Sequence, residues 1–334
     1  MNKLFLAAAL LLHALTATAQ DVVRVADLGI IPDAPFYVGI EKGYFKQAGL
    51  DVRLEKFVSA VNAMAALSTG ELHVVAGGVS PGLFNAFARG WPVKIVAPFG
   101  RDSQSNSVDA LLVRPDLKGI VKTAADLKGR KIAVIAPASA PVYMLARVLE
   151  PEGLSLKDVT LVSLPYADIE IAFANKAIDA AVTIEPFVTQ YQERGVAWLL
   201  KRSGDIASLS NPGWQVAVVL YNEDWAKKNP RAANEFMAVY LKGAREFVSA
   251  NNRGPNRAEM IDLLTRNTRV QDRGLYDRMH WGYIDPNGAI MKESLQDQVD
   301  WYVRQGMVTR PIDVSTIIDE RYVNFALEKL GPVR

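Results

Sequence analysis

Residues 69–90 read TGELHVVAGGVSPGLFNAFARG. The run LHVVAG at 72–77 is short, apolar and rich in β-branched residues, as a buried strand is. LFNAFARG at 83–90 has the spacing of a helix. Between them Pro81 suits the first helical turn, where its missing N–H is one the helix could not have used. Ser80 suits the N-cap, where a hydroxyl can accept from an orphan N–H. The segment is therefore a strand–turn–helix unit, the building block of an α/β sheet with parallel strands. It also contains G-x-S-x-G at 78–82, the turn that presents a nucleophilic serine in many hydrolases. Its reading decides the chemistry as well as the fold.

Three further stretches have the same construction: IPDAPFYVGIEKG (31–43), PASAPVYMLARVL (137–149) and TIEPFVTQYQERG (183–195). In each, a β-type run leads through a short turn into a helix with proline near its start. Candidate strands lie at 22–28, 51–57, 72–77, 93–99, 110–115, 131–137, 159–164 and 180–184, with helical segments between them. Four helix N-termini are thus expected at the carboxyl ends of strands, the edge where open α/β sheets bind ligands. From Asn222 onward the pattern is mainly helical. Asn229 and Pro230 read as cap and first turn of a helix whose buried stripe is Phe236, Met237, Tyr240, Leu241, Ala244 and Phe247. VSTIIDERYVNFALEKLG (314–331) reads as one more amphipathic helix.

The first 20 residues, MNKLFLAAALLLHALTATAQ, combine Lys3, the apolar run Leu4–Leu12 and the small-x-small site Ala17-Thr18-Ala19. This is the pattern of a secretory signal cut after Ala19. The chain has 334 residues, half of them hydrophobic, and no cysteine. Without the signal it still exceeds the ~250–300 residues at which a single core tends to divide, so two lobes are expected. Burial rather than disulfides must stabilise it, and lipid attachment through a cysteine is excluded. A net charge of +2, one unit of it from Lys3, gives no electrostatic reason for a nucleic-acid or membrane partner.

The nucleophile reading of Ser80 meets an obstacle. The oxyanion hole of such an elbow uses the N–H of the residue after the serine, and Pro81 has none. Losing one donor of that kind costs about 3 kcal/mol of transition-state stabilisation. Only His73 and His280 are available as a base once the signal is removed, and His73 lies within the strand leading to the turn. With no cysteine and two separated histidines there is no ligand cluster for a metal, and no phosphate-loop or dinucleotide fingerprint is present. A binding cradle is what remains: capped helix N-termini, with Gly77 and Gly78 admitting a close approach of a guest.

The residues APFYVGIEKGYFKQAGLDVRLEKF (34–57), AALSTGELHVVAGGVSPGLFNAFARGWPVKIVA (65–97), DLKGRKIAV, LSLKDVTLVSL, AIDAAVTIEPF and the tail VDWYVRQGMV…VSTIIDERYV resemble the periplasmic nitrate/sulfonate/taurine and thiamine-precursor binding proteins of ABC importers. The resemblance covers nearly all of the chain beyond the signal. It implies an α/β, two-lobed type II periplasmic-binding-protein fold with two hinge crossings, near Leu111–Arg114 and Val216–Tyr221. Lobe one is then 20–113 with 215–334, and lobe two 114–214. It implies a periplasmic monomer without cofactor or metal, with a small-molecule ligand and a membrane permease with its ATPase as partners. Neither nucleic acid nor insertion in the membrane is expected.

Carried over motif by motif, the ligand-binding candidates of lobe one are Asp33, Pro35, Phe36 and Tyr37 after the first strand, Gly78, Ser80 and Pro81, and Arg101 as partner for an acid group. Those of lobe two are Ser139, Ala140 and Tyr143, with Glu185 as acidic candidate, cap or inter-lobe bridge. Trp214 and Gln215 fall near the second crossing. An enzyme on the same fold, such as a pyrimidine-precursor synthase, and a sensory binding module are the alternatives.

Overall fold

The computed structural model describes residues 20–103, 106–205 and 213–333; the signal segment 1–19 lies outside the described residues. Two five-stranded mixed sheets organise the chain. The first holds β1 (Asp21–Asp27), β2 (Leu50–Lys56), β3 (Val74–Gly78), β4 (Val93–Asp102) and β10 (Trp214–Asn222), in the order β2-β1-β3-β10-β4. The second holds β5 (Asp109–Val113), β6 (Lys131–Val134), β7 (Thr160–Ser163), β8 (Ala180–Ile184) and β9 (Trp198–Arg202), in the order β7-β6-β8-β5-β9.

The helices are α1 (Ala34–Glu41), α2 (Tyr44–Gln47), α3 (Ala60–Thr69), α4 (Pro81–Ala88), α5 (Ala140–Leu149), α6 (Ile169–Ala174) and α7 (Phe187–Glu193). A C-terminal group follows: α8 (Glu223–Lys228), α9 (Pro230–Asn251), α10 (Arg257–Asn267), α11 (Lys292–Arg304) and α12 (Arg321–Leu330).

Strand direction decides where a ligand can sit. β1, β2 and β3 are parallel, and β10 runs antiparallel to both β3 and β4. The carboxyl ends of β1–β4 therefore share an edge with the start of β10, as the pairs Ala217–Gly78 and Trp214–Asp102 record. In the second sheet β6 is parallel to β7 and β8, and β5 is antiparallel to β8 and β9. There the carboxyl ends of β6–β9 share an edge with the start of β5. The chain changes sheet between Asp102 and Asp109 and returns between Arg202 and Trp214. Both crossings join these two edges, so the carboxyl ends of the parallel strands of one sheet lie opposite those of the other.

The crossings fall outside the strands that were expected to carry them. Leu111–Val113 lie within β5 of the second sheet, and Val216–Tyr221 within β10 of the first. Both are buried almost without a break, as strands covered on both faces are. Asp102 joins the crossings: its carboxylate accepts from Val108 N at 3.1 Å and Asp109 N at 3.4 Å, and from the Ser203 hydroxyl just after β9.

Side chains alternate across each strand, and the cores follow. Val218 and Leu220 of β10, Leu111 and Val113 of β5, and Val182 of β8 enter one core that continues across both sheets, under α3, α4, α5 and α11. On the opposite faces the cores are separate. Val219 and Tyr221 pack with α1, α9 and α12, while Ala110 and Leu112 pack with α6 and α7. The stripe of α9 is buried along its length, as its spacing requires.

Two helix starts differ from expectation. Asn229 makes no capping bond; its amide donates to Trp225 O and closes α8 instead. The last helix begins only at Arg321: Val314–Thr316 form a separate 3-10 turn, and Ile318 then bridges to Ile95 on the outer side of β4.

Candidate functional site

Six strand-to-helix turns line the two opposed edges. In the first sheet these are Leu28–Asp33, Phe57–Ser59 and Val79–Ser80; in the second, Ile135–Ser139, Leu164–Asp168 and Glu185–Pro186. Counted outward from the crossings, β3 corresponds to β8, β1 to β6 and β2 to β7.

At the turn of 69–90 the local physics is as expected. Ser80 is extended, with φ −145° and ψ 160°, and its Oγ accepts from Leu83 N at 3.4 Å while Pro81 opens the helix. Gly78 is exposed. Gly77 serves packing rather than a guest: a Cβ there would stand 2.2 Å from Ala60 Cβ of α3. Ser139 has the same extended backbone, with φ −136° and ψ 162°, ahead of Ala140 and Pro141. Its hydroxyl donates to Ala136 O at 2.6 Å and does not cap α5.

The other candidates of the first wall turn inward, a correction to their expected role. Phe36 is fully buried, 5.5 Å from Tyr240 and 6.1 Å from Phe99, ring centre to ring centre. Tyr37 is buried and donates to Asp27 Oδ1 at 2.6 Å. Pro35 is pressed against Gly243 of α9, where a Cβ would lie 2.6 Å from its carbonyl oxygen. Asp33 is fully buried, accepting from Leu28 N at 3.2 Å and Ile30 N at 3.0 Å, while its Oδ1 has no partner. Burial, with Asp27 adding to it, pushes its carboxyl up to about 7.

Arg101 belongs to the flank of the hinge. β4 is an edge strand, and Arg101 N donates to Tyr283 O at 2.8 Å on its outer side. The guanidinium lies 4.5 Å from the Tyr283 ring centre and 3.6 Å from Asp285. A cavity of about 520 Å³ there is lined by Arg101 together with Asn106, Asn251, Arg253, Arg257 and His280.

Glu185 takes the cap and the bridge together. It accepts from Thr189 N at 3.0 Å and Thr189 Oγ1 at 3.1 Å, from Arg202 at 3.4 Å and from His280 N at 3.5 Å. Burial outweighs these partners and holds its carboxyl above the usual range.

Tyr143 and Trp214 are brought together, 5.4 Å between ring centres, but inside a packed cluster with Trp301 and Tyr302 of α11. The Tyr143 hydroxyl donates to Asp297 of the same helix. Gln215 is buried in the bulge between β10 and β4, donating to Gly100 O at 2.9 Å and Ala217 O at 2.8 Å and accepting from Met291 N at 3.1 Å. Both positions hold the second crossing in place.

Neither histidine is placed to serve Ser80 as a base. His73 accepts from Arg24 N at 3.2 Å and stacks on Trp225, while His280 accepts from Ser107 N at 3.1 Å beside the hinge. Sequence reasoning missed the hinge group Asp102, Asp109 and Ser203, which carries no local motif. It also missed Val58, Val61 and Ile135, which stand exposed at the cleft edge. The β-type run expected at 131–137 stops at Val134, which leaves Ile135 in the turn.

A family profile described as "NMT1/THI5 like" matches residues 32–252. A Brucella abortus (strain 2308) chain named only as a binding protein is 27% identical over 288 residues, 83% of each chain. The taurine-binding periplasmic protein of Escherichia coli (strain K12) is 26% identical over 229 residues, 69% of this chain and 68% of that one. Among solved structures, the periplasmic aliphatic sulphonate binding protein SsuA from Escherichia coli superposes with a TM-score of 0.73 at 19% identity, covering 90% of this chain and 92% of SsuA. The likeness to SsuA fixes the fold as that of the two-lobed periplasmic binding proteins.

Proposed function

From the premise that this chain belongs to the NMT1/THI5-like family, we propose that it is the periplasmic solute-binding subunit of an ABC importer. It captures a small organic molecule between its lobes and presents the closed form to a membrane permease driven by a separate ATPase. No bond is made or broken; binding shifts an open–closed equilibrium toward the state the transporter takes up. Lobe one runs to Asp102 and resumes at Trp214, and lobe two is Asp109–Arg202. The signal is removed after Ala19 and the mature chain acts as a monomer. Gly78, Ser80 and Pro81 form one wall of the site, Ser139 and Ala140 the other.

The observation that carries this reading is the topology: two sheets present the carboxyl ends of their parallel strands to each other and are joined by two crossings on one side. That arrangement gives a cleft which closes by rotation. An enzymatic reading on this fold is poorly supplied, since Ser80 is occupied as a cap and His280 accepts from the Ser107 backbone.

A thermal-shift panel of sulfonates, taurine, nitrate, aromatic carboxylates and aminopyrimidines tests the proposal, with X-ray scattering on each hit. A cleft ligand at 100 times its Kd adds about 2.7 kcal/mol of stability and shrinks the radius of gyration. A ligand that stabilises without compaction, or turnover of any hit, would refute it.

A further inference from the structure

The polarity of the cleft edges narrows the ligand, if the solute-binding reading holds. Seven large apolar side chains stand exposed among the described residues; Val58 and Ile135 sit in turns that line the cleft, and Val61 is the second residue of the helix after one of them. Val58 is 80% and Val61 64% exposed at the β2–α3 turn and the first residues of α3, and Ile135 is 37% exposed at the β6–α5 turn. Half-buried Ile30, Phe57, Leu164 and Ile184 stand beside them on the same two edges. Exposed apolar surface gathered at one place marks a binding site more often than chance exposure does.

Charge gives the complementary half of the argument. None of the six turns carries a lysine or an arginine. Of their acids, Asp33 and Glu185 are buried and hydrogen-bonded, which leaves Asp168 alone exposed. Arg101, the basic residue expected to meet an acid group, is held by Tyr283 and Asp285 on the hinge flank. Lys56 ends β2 and the Arg269 side chain lies against Gly29, so a charged head can be met only at the outer part of the first lobe's edge, and a small hydrophilic anion would leave three apolar side chains bare. We infer that the cleft takes a molecule with an apolar body, aromatic or branched alkyl, whose single polar head is held by hydroxyl and backbone dipoles, the body resting on Val58 and Val61 from one lobe and Ile135 from the other.

Calorimetry on the mature full chain tests this with methanesulfonate, butanesulfonate, 4-toluenesulfonate, 4-methylphenol and nitrate. Affinity should rise about fourfold for each methylene buried, with 4-toluenesulfonate well above methanesulfonate. Val61→Asn and Ile135→Asn, both at exposed positions, should leave the melting temperature unchanged and flatten that rise by about tenfold at its top. Equal affinity along the series, or nitrate binding more tightly than 4-toluenesulfonate with full compaction in scattering, overturns the apolar assignment and leaves the solute-binding reading standing. Silence from the whole series overturns it too. Compaction absent with every bound compound is the separate result that removes the binding-protein reading itself.

Discussion

Asp109→Asn tests the hinge at its most exposed thermodynamic point. Asp102 and Asp109 are both buried and adjacent. Asp102 is well supplied with donors from Val108, Asp109 and Ser203, yet burial still raises its carboxyl. Asp109 has only the burial and the repulsion of Asp102, which hold it well above the usual range. Both therefore bind protons more tightly folded than unfolded. The stability they lend is complete below about pH 4 and is lost as the pH rises through their folded-state values. The asparagine removes one charge of the pair while keeping shape. Removing a buried carboxylate that faces a like charge is worth about 1–3 kcal/mol, or a rise of roughly 1.5–4.5 °C in melting temperature for a chain of this size. Chemical denaturation followed by circular dichroism from pH 4 to pH 9 should show the variant equal to the parent at the acid end and increasingly more stable above pH 6. Asp102→Asn should go the other way, losing about 1–3 kcal/mol above pH 6, where Ser203 and two backbone donors lose their carboxylate. An Asp109→Asn protein less stable than its parent at pH 8, or an advantage that does not change with pH, would refute the reasoning.

Arg101→Ala should leave the affinity for any cleft ligand within about twofold, because its ion pair and ring contact lie on the hinge flank; the cost is about 0.5–1 kcal/mol of stability, read by melting. Ser80→Ala should cost about 1 kcal/mol and Ser80→Gly only a few tenths, the ordering that marks an N-cap; a serine acting on the ligand alone would show no such difference in the unliganded protein.

The sheets were legible because their signals are local. Eight of the ten strands announce themselves as β-type runs, and proline after a cap residue locates α1, α4, α5 and α7. β9 was missed because WLLKR is short and ends in two charges; it is a strand because β5 pairs with it. The site was less legible, for a physical reason. Phe36, Tyr37 and Tyr143 sit one turn into their helices, and whether such a residue faces the cleft or the core depends on what packs over the helix. Here α9 covers the first two and α11 the third. Glu185 and Arg101 illustrate the same limit for charges, since their partners His280 and Asp285 lie far off in sequence. Ser80 was legible because its role is fixed by its two neighbours.

The packing also says how the lobes can move. On one face the core runs unbroken across both sheets, through Trp214, Trp301 and Tyr302 to Tyr143 of α5. On the other, Glu185 meets His280 and Glu193 pairs with Arg278 at 2.5 Å. Both contacts lie beside the crossings, and a close-packed interior resists sliding, so the lobes turn about an axis passing near β10 and β5. β3 stands one strand from β10 and β2 stands three. With even strand spacing, any rotation carries the β2 edge about three times as far as the β3 edge. The β2–α3 turn is where Val58 and Val61 are exposed, and Ser80 is on the strand that moves least. On the proposed reading, closure brings the apolar wall down onto a guest seated against the polar turn of Ser80, and the exposed Val58 and Val61 are the side chains that the motion is best placed to cover.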